Sequence, residues 1–187
     1  RNLVRQNKHL PDHFDDIPQA ARHSLPEWLF TQLKQDWPQH FQQIIDYSNS
    51  APPMSLRVNT QLTSREGYLV RLNEQEISAQ INPVCNSSIT LEKSADVKLL
   101  PGFMEGEVSV QDVGAQLVAP LLNLSAEQSL LDACAAPGGK SIHALQLCPG
   151  IHLTALDHQG ARLSRLEQDL QRCNLNAKTL CADAGDP

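Results

Sequence analysis

Between Ser129 and Ala182 short apolar runs alternate with amphipathic stretches, and few folds accept that order. Ser129–Ala133, Ile151–Leu156 and Ala177–Ala182 read as strands, and Gly138–Leu147 and Gln159–Cys173 as helices. Leu163, Leu166 and Leu170 recur on one helical face, Pro149-Gly150 stops the first helix, and Asn174 suits a left-handed cap for the second. Parallel strands need a crossover, and a right-handed one lays its helix on the sheet. The succession therefore predicts α/β architecture: the first half of a Rossmann-like, doubly wound sheet. Three parallel strands do not cover both of their faces, so further chain is expected after Pro187, and a start at Arg1 without Met reads as a cut through a longer protein.

The first strand of this half-sheet feeds its helix through Asp-Ala-Cys-Ala-Ala-Pro-Gly-Gly-Lys-Ser, residues 132–141. Such a turn is where open α/β sheets hold a cofactor. A P-loop requires glycine where Cys134 stands, and a dinucleotide fingerprint requires a G-x-G that is absent. A nucleoside cofactor without a pyrophosphate fits better, since Ala135, Ala136, Gly138 and Gly139 let it approach the backbone. Asp157, 18 residues after Gly139, ends the second strand and can accept from ribose hydroxyls; Asp183 ends the third and can accept from an amino group on the base. Against these stand plainer readings: a strand-end Asp caps turns, and Lys140 is a surface charge. Cys134 is read as packing in the turn, Cys148, Cys173 and Cys181 as core, and Arg162, Arg165 and Arg172 as a solvated helix face.

Upstream, residues 1–23 are polar and read as a linker, and His9, His13 and His23 lack metal-ligand spacing. Ser24 with Glu27, and Thr63 with Glu66, form capping boxes for two helices. Trp28, Leu29 and Leu33 give the first its apolar face, and Pro38 starts another carrying Phe41, Ile44 and Ile45. Met54, Leu56 and Val58 alternate with Ser55, Arg57 and Asn59, the pattern of a half-buried strand. Strand-like runs follow within 77–84, at 88–91 and at Val108 and Val110, so residues 24–110 are expected to form a small α+β domain. A helix over Gln111–Asn123 opens the third segment, 111–187.

Charge narrows the partners. The net charge is −6, with 10 Lys and Arg against 13 Asp and Glu in residues 1–110, and 5 against 8 in 111–187. Neither part offers the cationic surface that phosphate contacts require. Five cysteines with no C-x-x-C argue against a disulfide framework or a zinc site and fit a reducing cytoplasm. No apolar run approaches the roughly 18 residues of a membrane span, so neither membrane nor metal is expected as a partner.

The stretch Cys-Ala-Ala-Pro-Gly-Gly-Lys at 134–140 resembles the cofactor motif of the S-adenosylmethionine-dependent RNA cytosine-5 methyltransferases of the NOL1/NOP2/Sun family. Val110-Gln111-Asp112, Pro52 through Asn59 and Leu100 through Phe103 are similar to further stretches of that family, and the likeness runs from about residue 22 onward. It is greatest to bacterial members acting on small-subunit ribosomal RNA. The resemblance implies S-adenosyl-L-methionine as cofactor, with Cys134, Ala135, Ala136, Pro137, Gly138, Gly139 and Lys140 around its methionine part, Asp157 on the ribose and Asp183 on the adenine. It implies that residues 24–110 position RNA, and that Arg1–Lys8 end a preceding helical domain.

The family's chemistry uses a thiolate that adds to carbon 6 of the base, and a second Cys for release, in Pro-Cys and Thr-Cys motifs. Neither motif occurs here, so no catalytic residue is assigned and the chain is expected to be inactive alone. Two other classes remain: a non-catalytic RNA- or protein-binding module, and a nucleotide-dependent oxidoreductase on the same fold.

Overall fold

The computed structural model describes residues 17–186 and divides the chain into two compact units, Arg1–Pro52 and Pro53–Pro187. Residues 1–16, including His9, His13 and most of the expected linker, lie outside the described residues.

The first unit contains α1 (Gln19–Arg22), α2 (Glu27–Asp36) and α3 (Phe41–Asn49). Its core is Ala20, Phe30 and Ile45, with Phe41 edge-on to Phe30. Ser24 does not cap α2. It adopts φ +58° behind α1, where the Leu25 N–H donates to the Ala20 carbonyl, and Pro26 precedes α2 without a side-chain cap. A left-handed Ser closes the preceding helix and cannot also reach forward to the next. Trp28 is exposed, and Phe30 is the α2 residue that is buried.

The second unit begins with β1 (Ser55–Val58), α4 (Arg65–Glu74), β2 (Ala79–Ile81), β3 (Ser88–Leu91) and β4 (Val108–Val110). These strands form an antiparallel sheet in the order β2-β3-β1-β4. Leu56 and Val58 pack with Tyr68 and Leu72 of α4, Ile89 and Val108. Ser64, not Thr63, caps α4, accepting from the Gly67 N–H at 3.0 Å. A Cβ on Gly67 would lie 2.9 Å from the Ser64 hydroxyl, so glycine suits this first turn.

β1 departs from the expected half-buried pattern: all four residues are buried, Arg57 to 1% exposure. Alternation shows that the two faces differ and not whether the polar face meets water. Here Arg57 pairs in register with Ser88 on one side and Ser109 on the other, and its side chain runs into the next part of the chain.

That part opens with α5 (Val113–Gln116) and α6 (Val118–Leu121), where one helix was expected. Asp112 caps α5, accepting from the Gly114 and Ala115 amides, and Leu117 between the two helices keeps helical dihedrals, φ −73° and ψ −21°. Next come β5 (Ser129–Asp132), α7 (Gly139–Leu147), β6 (His152–Asp157), α8 (Gly160–Arg172) and β7 (Lys178–Cys181). The strands are parallel in the order β5-β6-β7, as the alternation required. Ile142 and Leu145 of α7, Leu166 and Leu170 of α8, and Leu153 and Ala155 of β6 form the core beside the sheet. Leu131 and Leu180, on the opposite pleat, are exposed. Asn174 is left-handed at the end of α8, as its identity suggested.

Two expectations about α8 and β7 are corrected. Arg172 is not solvated: it donates to the Phe103 carbonyl at 2.5 Å, to Val108 at 3.2 Å and to Asp169 at 2.8 Å, and lies over the Phe103 ring. Cys181 is exposed at the end of the outermost strand, whereas Cys173 is buried; all five cysteines are free.

Candidate cofactor site

Parallel register sets the site. Asp132 pairs with Ala155, and Asp157 with Cys181, so β6 ends two residues beyond β5, β7 ends level with β6, and Asp183 follows two residues after it. Asp132, Asp157 and Asp183 thus step along one carboxyl edge. The turn 133–138 folds over this edge and delivers the chain to α7.

The turn is tied down by β6. The Ala135 N–H donates to the Leu156 carbonyl at 2.9 Å, and the Ala136 N–H to Asp157 Oδ2 at 3.1 Å. Asp157 Oδ1 accepts from the Gln159 N–H at 3.0 Å. These backbone bonds, Gln159 first, and the Arg162 guanidinium hold the Asp157 carboxyl below the usual carboxylate range although burial opposes them. Asp157 is therefore ionised at neutral pH and joins the strand end to the turn. Arg162 closes the loop from α8, donating to the Ala136 carbonyl at 2.5 Å and standing 3.7 Å from Asp157 Oδ2. A residue expected in solvent is thus half-buried against the turn.

On the other flank Asp132 orders the start of the turn. Its carboxylate accepts from the Ser141 hydroxyl at 2.7 Å and from the Cys134 N–H at 3.3 Å. Gly138 adopts φ +108°, and a Cβ there would lie 3.0 Å from Leu166 Cγ, so conformation and space both require glycine.

The structure thus gathers Cys134 through Lys140 with Asp157 into one hydrogen-bonded assembly. Ala135, Ala136 and Gly138 are buried in it, Gly139 is half-buried, and Cys134, Pro137 and Lys140 are exposed. Asp183 stands apart at the end of β7, exposed, accepting from the Gly185 N–H at 2.9 Å. A cleft of about 190 Å³ opens beside the turn between Asp132, Lys140, Ser141 and the α6 residues Val118 and Ala119. Among the described residues no cluster of three His, Cys, Asp or Glu side chains could hold a metal ion.

Residues 25–98 match the ferredoxin-like domain of the RsmF/B-like methyltransferases, and residues 119–187 match the 16S rRNA methyltransferase RsmB/F domain. The chain belongs to the RsmB/F methyltransferase family. The ribosomal RNA small subunit methyltransferase B of Pseudomonas putida is 43% identical over 187 residues, which are 100% of this chain and 43% of the relative. That of Shewanella oneidensis is 41% identical over 186 residues, covering 100% of this chain and 42% of the relative. The chain therefore spans less than half the length of these curated RsmB relatives. A methyltransferase homolog protein from Pyrococcus horikoshii superposes with a TM-score of 0.78 at 22% identity, over 88% of this chain and 55% of its own. NSun6 from the same organism gives 0.77 at 16% identity, over 85% and 66%. At these identities the likeness establishes the fold, a ferredoxin-like domain followed by a Rossmann-like methyltransferase sheet.

The sequence reading missed the polar residues that join the two halves of the RsmB/F fold. Arg57 donates to Gln111 Oε1, to the Gly139 carbonyl at 2.7 Å and to Gln146 Oε1 at 3.0 Å. His143 and Gln146 interrupt the apolar run of α7 three residues apart and are both buried. Of the two, Gln146 meets Arg57 and was the available signal, whereas His143 Nδ1 is buried without a hydrogen-bond partner among the described residues.

Proposed function

We propose that this chain binds S-adenosyl-L-methionine at the 133–140 turn. Cys134 through Lys140 enclose its methionine part, Asp157 accepts from the ribose hydroxyls, and Asp183 accepts from the adenine amino group. The observation that carries this reading is the bond from the Ala136 N–H to Asp157, which makes the small-residue turn and the strand-end carboxylate one unit. Each carboxylate oxygen of Asp157 holds one backbone N–H and keeps a second lone pair, and because the side chain is fully buried a ribose hydroxyl reaches it only once the groups over it shift. Ala135, Ala136 and Gly138, buried in the turn, carry little or no side chain, so a ligand lying on the turn meets little bulk there. The turn lacks the G-x-G of a dinucleotide fingerprint, which disfavours a nicotinamide dinucleotide.

The protein to which the chain belongs is proposed to methylate carbon 5 of a cytosine in small-subunit ribosomal RNA. When bound, the cofactor supplies an electrophilic methyl group on its sulfonium. The chain's own residues bind and orient it. None of the five cysteines stands in a Pro-Cys or Thr-Cys context, so thiolate addition to the base is assigned to no residue of this chain. The balance of charge agrees with a subsidiary part in RNA binding. Arg57, Arg71, Arg162 and Arg172 are all engaged inside the fold, and free cations are what phosphates require.

Calorimetric titration of the purified chain tests the cofactor assignment. Saturable binding of S-adenosylmethionine with none of NAD supports it, and preference for NAD overturns it. Incubation with labelled S-adenosylmethionine and unmodified ribosomal RNA tests the rest: no stable methyl incorporation is expected from this chain alone.

A further inference from the structure

Among the described residues Arg57 is the largest side chain buried almost completely, and it lies on one of the two inner strands of the ferredoxin-like sheet. Its hydrogen-bond partners are three neutral oxygens. Two are the side-chain oxygens of Gln111 and Gln146, and the third is the main-chain carbonyl of Gly139. Burial pulls its pKa down to about 10, so it remains a cation at neutral pH. A buried charge without a carboxylate is costly unless its donors are matched by well-placed acceptors. Arg57 Nη1 meets Gln111 and Gly139 and its Nη2 meets Gln146, an arrangement a single ammonium does not reproduce, while the buried Nε has no hydrogen-bond partner among the described residues.

Gly139 is the first residue of α7, directly after the left-handed Gly138, and its carbonyl marks where the turn becomes helix. The turn is fixed from the β6 side by Leu156 and Asp157 and from α8 by Arg162. From the opposite side the contact comes from Arg57, across 82 residues of sequence. Gln61 adds a bond from the same domain, donating to the Gln146 carbonyl at 2.8 Å.

We propose that Arg57 is a positioning residue for the cofactor turn: its hold on the Gly139 carbonyl makes the ferredoxin-like sheet part of the cofactor site. The proposal rests on the reading of residues 133–140 as that site. It assigns Arg57 an effect on cofactor affinity although it sits on another domain, one that the family resemblance implies positions RNA. By linkage, a ligand that shifts this sheet changes cofactor affinity, and cofactor changes that ligand's affinity by the same factor.

Arg172 provides the control. It joins the same two domains through Phe103, Val108 and Ser109 but touches no residue of the turn. In the purified chain, Arg57→Met and Arg172→Met are compared by thermal melting, by hydrogen exchange at the amides of residues 135–142, and by titration with S-adenosylmethionine. Both substitutions are expected to lower the melting temperature. Arg57→Met is expected to speed exchange in 135–142 and to weaken cofactor binding, each by about tenfold, and Arg172→Met to leave both within about twofold. Arg57→Lys, which keeps the charge and one or two of the bonds, is expected to fall between. If Arg57→Met leaves exchange and affinity within about twofold, or if Arg172→Met moves the turn equally, the proposal is overturned. Should Arg57→Met not fold, Arg57→Lys and Gln146→Met, which removes one acceptor of the fork, carry the same comparison. Should the unaltered chain bind no S-adenosylmethionine, the cofactor reading fails, while hydrogen exchange still decides whether Arg57 holds the turn.

Discussion

Asp157 accepts the amide of Ala136 at 3.1 Å across 21 residues of sequence, and this bond sets the distance between the end of β6 and the turn above β5. The same carboxylate accepts from Gln159, so it serves the fold before any ligand arrives. Asp157→Asn keeps one acceptor oxygen and the shape but loses the charge. Its NH2 faces one of the two backbone amides and leaves that donor unpaired, so it is expected to cost about 1–3 kcal/mol and to weaken S-adenosylmethionine binding by about tenfold or more. Asp157→Ala leaves both amides without a partner and is expected to lower the melting temperature as well. Because the folded carboxyl lies below its ordinary pKa, its contribution is present at neutral pH and is lost as acid takes the pH down through the folded value. Unchanged cofactor affinity in Asp157→Asn counts against the ribose assignment.

Gly138 makes the turn possible in two ways, and its substitution tests both. At φ +108° an L-residue is strained, and Leu166 Cγ stands 3.0 Å from where a Cβ would go. Gly138→Ala is expected to cost about 1–3 kcal/mol. For a chain of this length that is a fall of roughly 2–4 °C in melting temperature for each kcal/mol. Leu166→Ala relieves the contact but not the backbone strain, so the double variant is expected to recover part of the coupling and not all of it. Full additivity of the two costs argues against the contact.

His143 gives the pH dependence its sign. Burial, aided by the nearby Arg57 cation, pushes its imidazole from 6.5 down to about 3. Above its ordinary pKa the imidazole is neutral in both folded and unfolded chains, and its contribution is complete. As pH falls below that value the unfolded chain takes up a proton that the folded chain refuses, so stability declines until the folded pKa is reached. The slope approaches about 1.4 kcal/mol per pH unit in that window. Urea unfolding at a series of pH values is expected to show this slope, and His143→Leu to flatten it. An identical slope in the variant shows that other groups are responsible.

The legible parts of this protein were those that repeat along the chain. The strands β5 to β7, their helices and the turn between Asp132 and Ser141 follow from local periodicity and from small residues at fixed offsets. What escaped was the meeting of two domains. Arg57 alternates with Leu56 and Val58 as a solvent-facing residue does, and Arg172 lies on α8 among residues that do face water. Nothing within a few residues of either distinguishes water from a second domain on that side. The capping errors are local: Ser24 and Thr63 carry the right chemistry, but the neighbouring helix end or an adjacent Ser takes the position. Asp157 shows a third kind of gap, because its strand-end place was evident whereas its bond to Ala136 depends on how the turn folds back.

Gly106 offers the last test, at the seam away from the turn. It adopts φ +75°, and a Cβ there would sit 2.8 Å from Cys173 Cα, a main-chain atom at the end of α8 that has no rotamer to change. Asn59 reads the same spot from β1's end, its side-chain amide donating to the Gly106 carbonyl at 3.2 Å. Gly106→Ala must therefore push α8 and the loop before β4 apart, straining the Arg172 bonds to Phe103 and Val108. The expected cost is about 2–4 kcal/mol, from backbone strain together with overpacking. Because Arg172 already depends on this close approach, Gly106→Ala and Arg172→Met are expected to cost less together than their sum. Denaturant unfolding of the two single variants and the double variant measures that coupling, and strict additivity overturns the claim that glycine at 106 lets Arg172 reach across.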